Sequence, residues 1–178
     1  LLTGYGFQEI INPILSNPTD QFEKINWKKE NTIEIENPVS QEYTCLRICL
    51  KPGLLKFLAK NTHVSYPQNI FEVGDVVIYD ENEETMSKSI RSIVGVMCHS
   101  KTSLTDVKSL VDSLLRNLKV DYELEAHDLE EMISGRSAKI LANGKYIGNF
   151  GEISPTILNN WGIEMPCTAF EIDLDGVM

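Results

Sequence analysis

The sequence predicts a single α+β domain in which an antiparallel β-sheet is flanked by helices. The length of 178 residues, with 42% hydrophobic and 24% charged residues, is typical of one globular domain. Several segments alternate between polar and apolar residues, as half-buried antiparallel strands do. Asn143-Gly144 lies between two such segments and is a strong hairpin signal.

The first half of the chain is predicted to contain short strands, turns and one longer helix. Residues 7–15 mix apolar and β-branched side chains, which predicts a strand ending near Pro13, where a missing backbone N–H is tolerated. A helix is predicted over residues 51–61, with Pro52 in its first turn. The other predicted elements are a helix end that breaks at glycine within residues 1–7, a short helix around Gln21–Ile25, and a half-buried strand over residues 32–36.

The second half predicts the longer strands and the clearest helix. Residues 69–79 predict a strand, with Gly74 as a bend or bulge. Apolar residues recur at helical spacing from Leu104 to Leu118, and Ser103 is placed to cap that helix. Further strands are predicted at Ile90–Met97, Tyr122–Ala126, Ala138–Ala142, Tyr146–Glu152 and Thr168–Leu174, and a short helix capped by Ser154 at Pro155–Trp161.

The charge balance disfavours nucleic acid as a direct partner. The chain has 16 basic and 26 acidic residues, a net charge of −10, and residues 121–178 hold 3 basic and 11 acidic residues. Phosphate backbones are bound mainly by lysine and arginine. No apolar run approaches the ~20 residues that a membrane helix needs, so no membrane association is expected.

The sequence shows no pattern for a metal or a phosphate-binding loop. Cys45, Cys49, Cys98 and Cys167 form no CxxC pair, and the three histidines are scattered, which argues against a zinc site. We expect reduced, buried thiols in a cytosolic protein. No GxGxxG, GxxxxGK[ST], GxSxG or HExxH occurs.

Two of the four arginines lie in patterned segments. Arg47 follows Leu46, and Arg136 lies in Gly135-Arg136-Ser137-Ala138. Arginine suits bidentate contacts with carboxylates or phosphates. We expect each to hold a buried carboxylate, with Glu72, Glu152 and Glu171 as candidates, while ligand binding stays open as the alternative.

Two blocks of spaced motifs occur in the order found in a known enzyme family. The first block contains Leu46-Arg47, Leu50-Lys51-Pro52-Gly53-Leu54-Leu55, Asn61 and Ile70-Phe71-Glu72-Val73-Gly74-Asp75-Val76. The second contains Gly135-Arg136-Ser137-Ala138, Gly144, Ile147-Gly148, Gly151-Glu152-Ile153-Ser154-Pro155, Trp161 and Ala169-Phe170-Glu171-Ile172-Asp173-Leu174. Together they resemble the β subunit of phenylalanyl-tRNA synthetase, in wording nearer its archaeal and eukaryotic branch.

The resemblance implies the catalytic-like core fold of class II aminoacyl-tRNA synthetases. Gly6–Pro13 resembles the strand of class II motif 1. Arg47 through Val76 resembles motif 2, as two strands joined by a connection that includes a helix. Residues 1–178 are therefore expected to be one catalytic-like domain, a fragment of a longer chain.

Departures from the class II pattern imply a domain without catalysis. A working motif 2 reads Arg-x-Glu, whereas this chain has Arg47-Ile48-Cys49. No arginine follows Arg136, so the motif 3 arginine that holds the ATP γ-phosphate is lacking. Without these clamps phosphoryl chemistry loses most of its electrostatic stabilisation. We expect no catalytic residue, no metal and no cofactor in this domain, with Arg47 as a vestigial position.

The resemblance also implies a supporting role in a cytoplasmic ligase complex. The family's α subunit uses ATP and Mg²⁺ to activate phenylalanine and transfers it to tRNA(Phe). This domain is expected to pair with the α subunit, to support its active site and the (αβ)₂ heterotetramer, and to meet tRNA(Phe) only through the whole complex. Motif 1 usually carries the interface, so the interface candidates are Phe7, Ile10, Ile11 and Pro13.

Two alternatives stay open. An autonomous ATP-dependent ligase would use Arg47 and Arg136, and a nucleotide-binding assay would reveal it. An unrelated acidic α+β module would use its C-terminal third to bind a basic partner, and failure to bind the α subunit would favour it.

Overall fold

The computed structural model describes residues 1–177, which form a seven-stranded sheet, a two-stranded sheet and three α-helices. In chain order the elements are β1 (Gln8–Glu9), β2 (Leu15–Ser16), β3 (Cys45–Leu46), α1 (Lys51–Lys60), β4 (Gln68–Tyr79), β5 (Ser87–Cys98), α2 (Leu104–Asn117), β6 (Glu123–Ala126), β7 (Met132–Ala142), β8 (Lys145–Ile153), α3 (Pro155–Trp161) and β9 (Cys167–Asp173). A 3₁₀ turn at Leu2–Tyr5 and a π-helical turn at Thr19–Glu23 precede β3.

The large sheet has the strand order β1-β4-β5-β9-β8-β7-β6. Every pairing is antiparallel except that of β1 with β4, which is parallel. The predicted α+β architecture with flanking helices is confirmed, and the predicted antiparallel sheet is mixed at one edge.

Residues 7–15 form two short strands, so the single predicted strand is wrong. Gln8–Glu9 joins the large sheet, whereas Leu15–Ser16 pairs with Cys45–Leu46 in the small one. Between them the backbone N–H of Asn12 donates to the Glu72 carboxylate, and Pro13 has no N–H to donate. Neither Asn12 nor Pro13 then donates a backbone hydrogen bond to a neighbouring strand, so the chain leaves the large sheet after β1.

Residues 32–36 make a single antiparallel bridge, Glu34 to Cys45, and the strand predicted there is wrong. The Ile35 N–H donates to Thr44, and the Leu46 N–H donates to Ile33. This segment lies on the outer side of the small sheet, where only β3 supplies hydrogen-bond partners. The alternation of polar and apolar residues predicted a full strand, but the segment forms only one bridge.

The β4–β5 hairpin is the longest ladder in the fold. Its register runs without a shift from Gln68 opposite Cys98 to Tyr79 opposite Ser87. The predicted bend or bulge at Gly74 is wrong, because Gly74 lies opposite Ser92 within this unbroken ladder. A Cβ at residue 74 would overlap the Arg47 guanidinium. Glycine is needed at residue 74 because the Arg47 side chain crosses β4 there, and not because the strand bends.

The predicted hairpin at Asn143-Gly144 is confirmed between β7 and β8. Asn143 has φ 50° and Gly144 has φ 73°, which is the left-handed conformation that a two-residue hairpin turn requires. The predicted strands in the second half of the chain are all present.

The helices predicted at residues 51–61, 104–118 and 155–161 are confirmed and cover the two faces of the large sheet, and the short helix predicted around Gln21–Ile25 is a π-helical turn at Thr19–Glu23. Helices α1 and α3 pack on one face, where Leu54, Leu55 and Ile157 are fully buried. Helix α2 packs on the other face through Val111 and Leu115. Ser103 and Ser154 accept backbone hydrogen bonds at the starts of α2 and α3, as predicted. Among residues 1–177 no helix is long and apolar enough to span a bilayer.

Candidate functional site

Arg47 directly follows β3 and is held in a buried network, called here the arginine site (Asn12, Arg47, Glu72 and Asp75). Its Nη1 donates to Glu72 Oε1 at 2.6 Å and to the Asn12 carbonyl at 3.2 Å, and its Nε donates to the Asp75 carbonyl at 2.9 Å. Glu72 is 1% exposed and also accepts from Asn12 Nδ2 at 2.6 Å. The guanidinium therefore joins the N-terminal segment, β3 and β4, at the wall of a cavity of about 180 Å³ that Lys56 and Lys60 also line.

Strand β3, which Arg47 follows, forms no ladder with β4, which carries Glu72, although the Val77 N–H of β4 donates to the Arg47 carbonyl at 2.9 Å. Arg47 lies beside β3 in the small sheet, and Glu72 lies in β4 of the large sheet. The structure places the helix α1 between them along the chain, as the sequence implied, but the two strands belong to different sheets.

Gln21 is a buried residue that the sequence did not single out. Its Oε1 accepts from the backbone N–H groups of Ile48 and Cys49 at 3.0 and 3.2 Å. Gln21 is 1% exposed and comes from the π-helical turn. It satisfies two donors of the segment that leads into α1, which fixes the direction of that segment after Arg47.

A second buried set of charges lies at the start of α1 and is called here the lysine cluster (Cys49, Lys51, Glu131 and Glu171). Lys51 is 1% exposed, and its Nζ lies 2.8 Å from Glu131 Oε1 and 3.8 Å from Glu171 Oε2. Trp27 Nε1 donates to the other oxygen of Glu131 at 3.1 Å. The cluster joins α1 to the loop before β7 and to β9.

Contacts in the lysine cluster shift the pKa values of Lys51, Glu131 and Cys49. Burial alone would lower the pKa of Lys51, but the charges of Glu131 and Glu171 outweigh burial and hold that pKa above its ordinary value. Burial would raise the pKa of Glu131, but the Lys51 ammonium outweighs it and holds that pKa below its ordinary value. Burial, together with the charge of Glu171, raises the pKa of the Cys49 thiol well above its ordinary value. Lys51 and Glu131 are therefore charged, and the Cys49 thiol is protonated, at neutral pH.

Arg136 and Glu152 form a third pair, on β7 and β8. Arg136 Nη1 lies 2.7 Å from Glu152 Oε2, and the Glu152 Oε1 accepts from the backbone N–H of Leu104 at 2.8 Å. Glu152 therefore supports the N-terminus of α2, where a carboxylate is favoured by the helix dipole. The Arg136 side chain is 57% exposed, so this pair lies at the surface.

A cleft of about 700 Å³, called here the sheet cleft, opens on the part of the α1 and α3 face that these helices leave uncovered. Val76, Ile78 and Ile90 contribute apolar surface from β4 and β5. Within the described part of the chain, five carboxylates line it, and no lysine or arginine does. The carboxylates are Asp128, Glu130, Glu131, Glu171 and Asp173.

The four interface candidates divide into two buried and two surface residues. Phe7 and Ile10 are 4% and 7% exposed and pack in the two cores of this chain. Ile11 is 88% exposed, and Pro13 is exposed as well. The side chains of Phe7 and Ile10 are covered within this chain, so only Ile11 and Pro13 of the four candidates expose their side chains. The interface itself stays a prediction.

All four cysteines are free and buried. Cys98 and Cys167 lie directly opposite each other on β5 and β9, a contact that their spacing in sequence did not suggest. Within the part of the chain that the structure describes, no group of three or more His, Cys, Asp or Glu residues is arranged to hold a metal ion.

Comparison with known proteins extends over nearly the whole chain. The family described as "Phenylalanyl tRNA synthetase beta chain CLM domain" matches residues 1–174. The chain is 44% identical to the "Phenylalanine--tRNA ligase beta subunit" of Thermococcus sibiricus and 46% identical to that of Pyrococcus abyssi, each over 174 residues, 98% of this chain and 31% of the relative. It is 42% identical over 175 residues to the same subunit of Methanocaldococcus jannaschii, with 98% and 32% covered. The chain thus spans about a third of the length of these relatives.

Proposed function

Because the chain belongs to the phenylalanyl-tRNA synthetase beta chain family, we propose that it is the non-catalytic, class II synthetase-like domain of a phenylalanine–tRNA ligase β subunit. In this role it pairs with the α subunit, supports the α active site and helps to assemble the (αβ)₂ heterotetramer in the cytoplasm. The whole complex uses ATP and Mg²⁺ and binds tRNA(Phe). Membership of the family excludes the alternative of an unrelated interaction module.

The observation that carries the proposal is the pairing of Arg47, the position that the resemblance gives to a nucleotide clamp, with the buried Glu72. Among residues 1–177, no lysine or arginine lines the sheet cleft, and five carboxylates do. Arg47 is paired with Glu72, and Lys51 is paired with Glu131. Transfer of a phosphoryl or adenylyl group needs positive charge at the developing negative charge, which the carboxylate-lined sheet cleft does not supply.

The surface proposed for the α subunit lies where the chain passes from the large sheet to the small one. Ile11, Ile14 and Leu15 are 88%, 38% and 38% exposed, and Pro13 is exposed between them. A contiguous apolar stretch on the surface of a soluble domain is typical of a protein interface. Its position next to β1 agrees with the motif 1 resemblance.

Titration of the full-length β chain with ATP and Mg²⁺, and with a phenylalanyl-adenylate analogue, tests the absence of catalysis. We expect no binding up to millimolar concentration, because the carboxylates of the cleft repel the phosphates. Binding that disappears in Arg47→Ala would contradict the proposal. It would instead favour the autonomous ATP-dependent ligase, with Arg47 and Arg136 as candidate ligands.

Co-purification of the full-length β chain with the α subunit tests the supporting role. Ile11→Asp is expected to reduce the bound α subunit roughly tenfold or more, as charge at a buried interface centre does. Leu118→Asp, at a residue 44% exposed after α2, is the matched control and should leave assembly unchanged. Equal loss in both variants, or in neither, would contradict the proposed interface.

A further inference from the structure

Two buried thiols face each other across two central strands of the large sheet. Cys98 ends β5 and Cys167 begins β9, and the two residues lie directly opposite each other in an antiparallel register without a shift. Both side chains belong to the core on the α1 and α3 face, so they point to the same side of the sheet. They are 1% and 2% exposed.

The hydrogen bonds of this ladder place the two cysteines at a close pair of positions. At the next pair, the His99 N–H donates to the Pro166 carbonyl at 3.3 Å, so this pair is a hydrogen-bonded one. Hydrogen-bonded and non-hydrogen-bonded pairs alternate along an antiparallel ladder, so Cys98 and Cys167 form a non-hydrogen-bonded pair. The Cα atoms of such a pair are about 4.5 Å apart. A disulfide bridges Cα atoms separated by roughly 4.4–6.8 Å, so this position can accept one.

The two sulfurs also affect each other's ionisation. Contact with the Cys98 thiol, together with burial, raises the pKa of the Cys167 thiol. The same contact lowers the pKa of Cys98, because its thiolate accepts the Cys167 proton as a hydrogen bond. Cys98 is therefore the sulfur that ionises more readily, and the thiolate is the form that oxidants attack.

A cavity of about 220 Å³ lies beside the start of β9 and gives a small molecule an approach to this pair. Cys167 lines it together with Pro166, Thr168 and Thr102. A water molecule takes about 30 Å³, so the cavity has room for hydrogen peroxide, which has one more oxygen atom. An aromatic disulfide such as Ellman's reagent is much larger than a peroxide and does not reach the thiols by this route.

We propose that Cys98 and Cys167 form a site of reversible thiol oxidation, at which a peroxide converts them into a disulfide that joins β5 to β9. The Cys98 thiolate attacks one peroxide oxygen, the O–O bond breaks, and the products are a sulfenic acid and, after protonation, water. The Cys167 sulfur then attacks the Cys98 sulfur, and the hydroxyl leaves with the Cys167 proton as a second water. Two thiols thus lose two electrons to one hydrogen peroxide.

The disulfide closes residues 98–167 into one loop. This loop contains α2, β6, β7, β8 and α3, so the bond ties the second half of the sheet to the β4–β5 hairpin. A bond that closes a long loop restricts the unfolded chain and suppresses opening. The site goes beyond the proposed function, because its chemistry needs neither the α subunit nor a nucleotide.

Peptide mapping of the full-length β chain tests the site. The native chain is treated with hydrogen peroxide, alkylated, and digested with trypsin without reduction. We expect the peptide Ser92–Lys101 to be joined to the peptide that begins at Tyr146, with a mass two hydrogens below the sum of the two. Dithiothreitol should release both peptides. Hydrogen exchange of the β9 amides should be about tenfold or more slower in the oxidised chain.

A substitution and a matched control localise the chemistry. Cys167→Ala leaves Cys98 without a partner, so its sulfenic acid should persist and be trapped by dimedone, whereas the wild type should show little trapping. Cys45 is also a buried strand cysteine, but it lies opposite Ser16. Cys45→Ala should therefore leave the linked peptide unchanged.

Several results would overturn the assignment. They are the absence of the linked peptide after native treatment, its formation only in guanidinium, linkage of Cys98 to another cysteine, and conversion of either thiol to a sulfonic acid in place of the link. Equal dimedone trapping in the wild type and in Cys167→Ala, or unchanged hydrogen exchange in β9, would also contradict it. The wild-type map decides even if a variant fails to fold, and no outcome depends on binding of the α subunit.

Discussion

Arg47 illustrates how a residue of catalytic type serves a structural purpose. Its guanidinium donates to the Glu72 carboxylate and to two backbone carbonyls, those of Asn12 and Asp75. The carboxylate it holds is 1% exposed. A buried charge without its partner is strongly destabilising, whereas a complete and hydrogen-bonded pair is tolerated. The pair is therefore required as a unit.

Arg47→Met is expected to lower the free energy of unfolding of residues 1–178 by roughly 3–5 kcal/mol, because Glu72 is left buried and unpaired. The matched control, Arg136→Met, removes the same group from an exposed pair and should cost at most about 1 kcal/mol. Urea unfolding followed by circular dichroism measures both. Equal losses for the two variants would show that burial of the Arg47 pair does not matter.

The lysine cluster makes the stability depend on pH in a defined direction. The folded pKa of Glu131 lies below its ordinary value of 4.5, so its contribution is present above that pH and is lost as the pH falls. The folded pKa of Lys51 lies above its ordinary value of 10.5, so its contribution is present below that pH and is lost as the pH rises through the folded pKa.

Lys51→Met is expected to reverse the acid response. The wild type keeps this contribution from neutral pH to about pH 5 and loses it only below. In the variant Glu131 is buried without a cation, so protonation relieves it and stability rises as the pH falls from 7 to 5. Thermal melting across this pH range measures the difference. Parallel pH profiles for the two proteins would mean that Lys51 does not set the charge of Glu131.

Candidate residues were predictable where sequence pattern and chemistry coincided. Arg47 and Arg136 stood out, and the structure pairs them with Glu72 and Glu152, two of the three carboxylates considered. The contact of Lys51 with Glu131 was missed because 80 residues separate them. A weak signal existed, since a lysine at the positive start of a helix is unfavourable unless a carboxylate compensates it.

At the level of elements, the helices and the second-half strands followed from the sequence, and the short strands near the N-terminus did not. Helix α2 has six apolar residues at helical spacing and a serine cap, and these local signals define it. The segment from Phe7 to Leu15 changes sheets at Asn12 and Pro13 because of a hydrogen bond to Glu72, far along the chain. No local pattern encodes such a contact.

Gly74 and Arg47 are expected to be energetically coupled across β4. Gly74→Ala places a Cβ on the guanidinium and should destabilise the wild type by at least about 1 kcal/mol. In an Arg47→Ala background the same change should cost less, giving a coupling energy of about 1 kcal/mol in a double-mutant cycle. Gly4→Ala, where a Cβ would meet no atom, is the control. If the two substitutions act additively, the Arg47 side chain does not press on residue 74 as the structure shows.

At the scale of the whole molecule, every thiol is buried. Cys45, Cys49, Cys98 and Cys167 are at most 3% exposed. Thiol reagents attack the exposed thiolate, so we expect no rapid reaction with Ellman's reagent in the native protein and four equivalents after unfolding in guanidinium. One or more rapidly reacting thiols in the native state would show that a core opens locally.

The whole chain also separates two kinds of charge. The buried cations Arg47 and Lys51 are each paired with a carboxylate. The five carboxylates that line the sheet cleft lie together in one part of the fold. The net charge of −10 was readable from the sequence, whereas its concentration in one cleft depends on the approach of β8 and β9 to the loop before β7. Composition predicted that the chain repels phosphate groups, but it did not predict which surface carries the negative charge.

The two outer strands of the large sheet decide how it meets other molecules. At one end β1 offers only Gln8 and Glu9, too short a template for an added strand. At the other end β6 carries Glu123 and Glu125, and charge on an edge discourages pairing with a second sheet. Neither edge of the sheet is therefore suited to pair with a strand of another molecule. Copies of the molecule resist stacking into ribbons even when crowded, and any lasting assembly has to be built from side chains rather than from a shared backbone ladder.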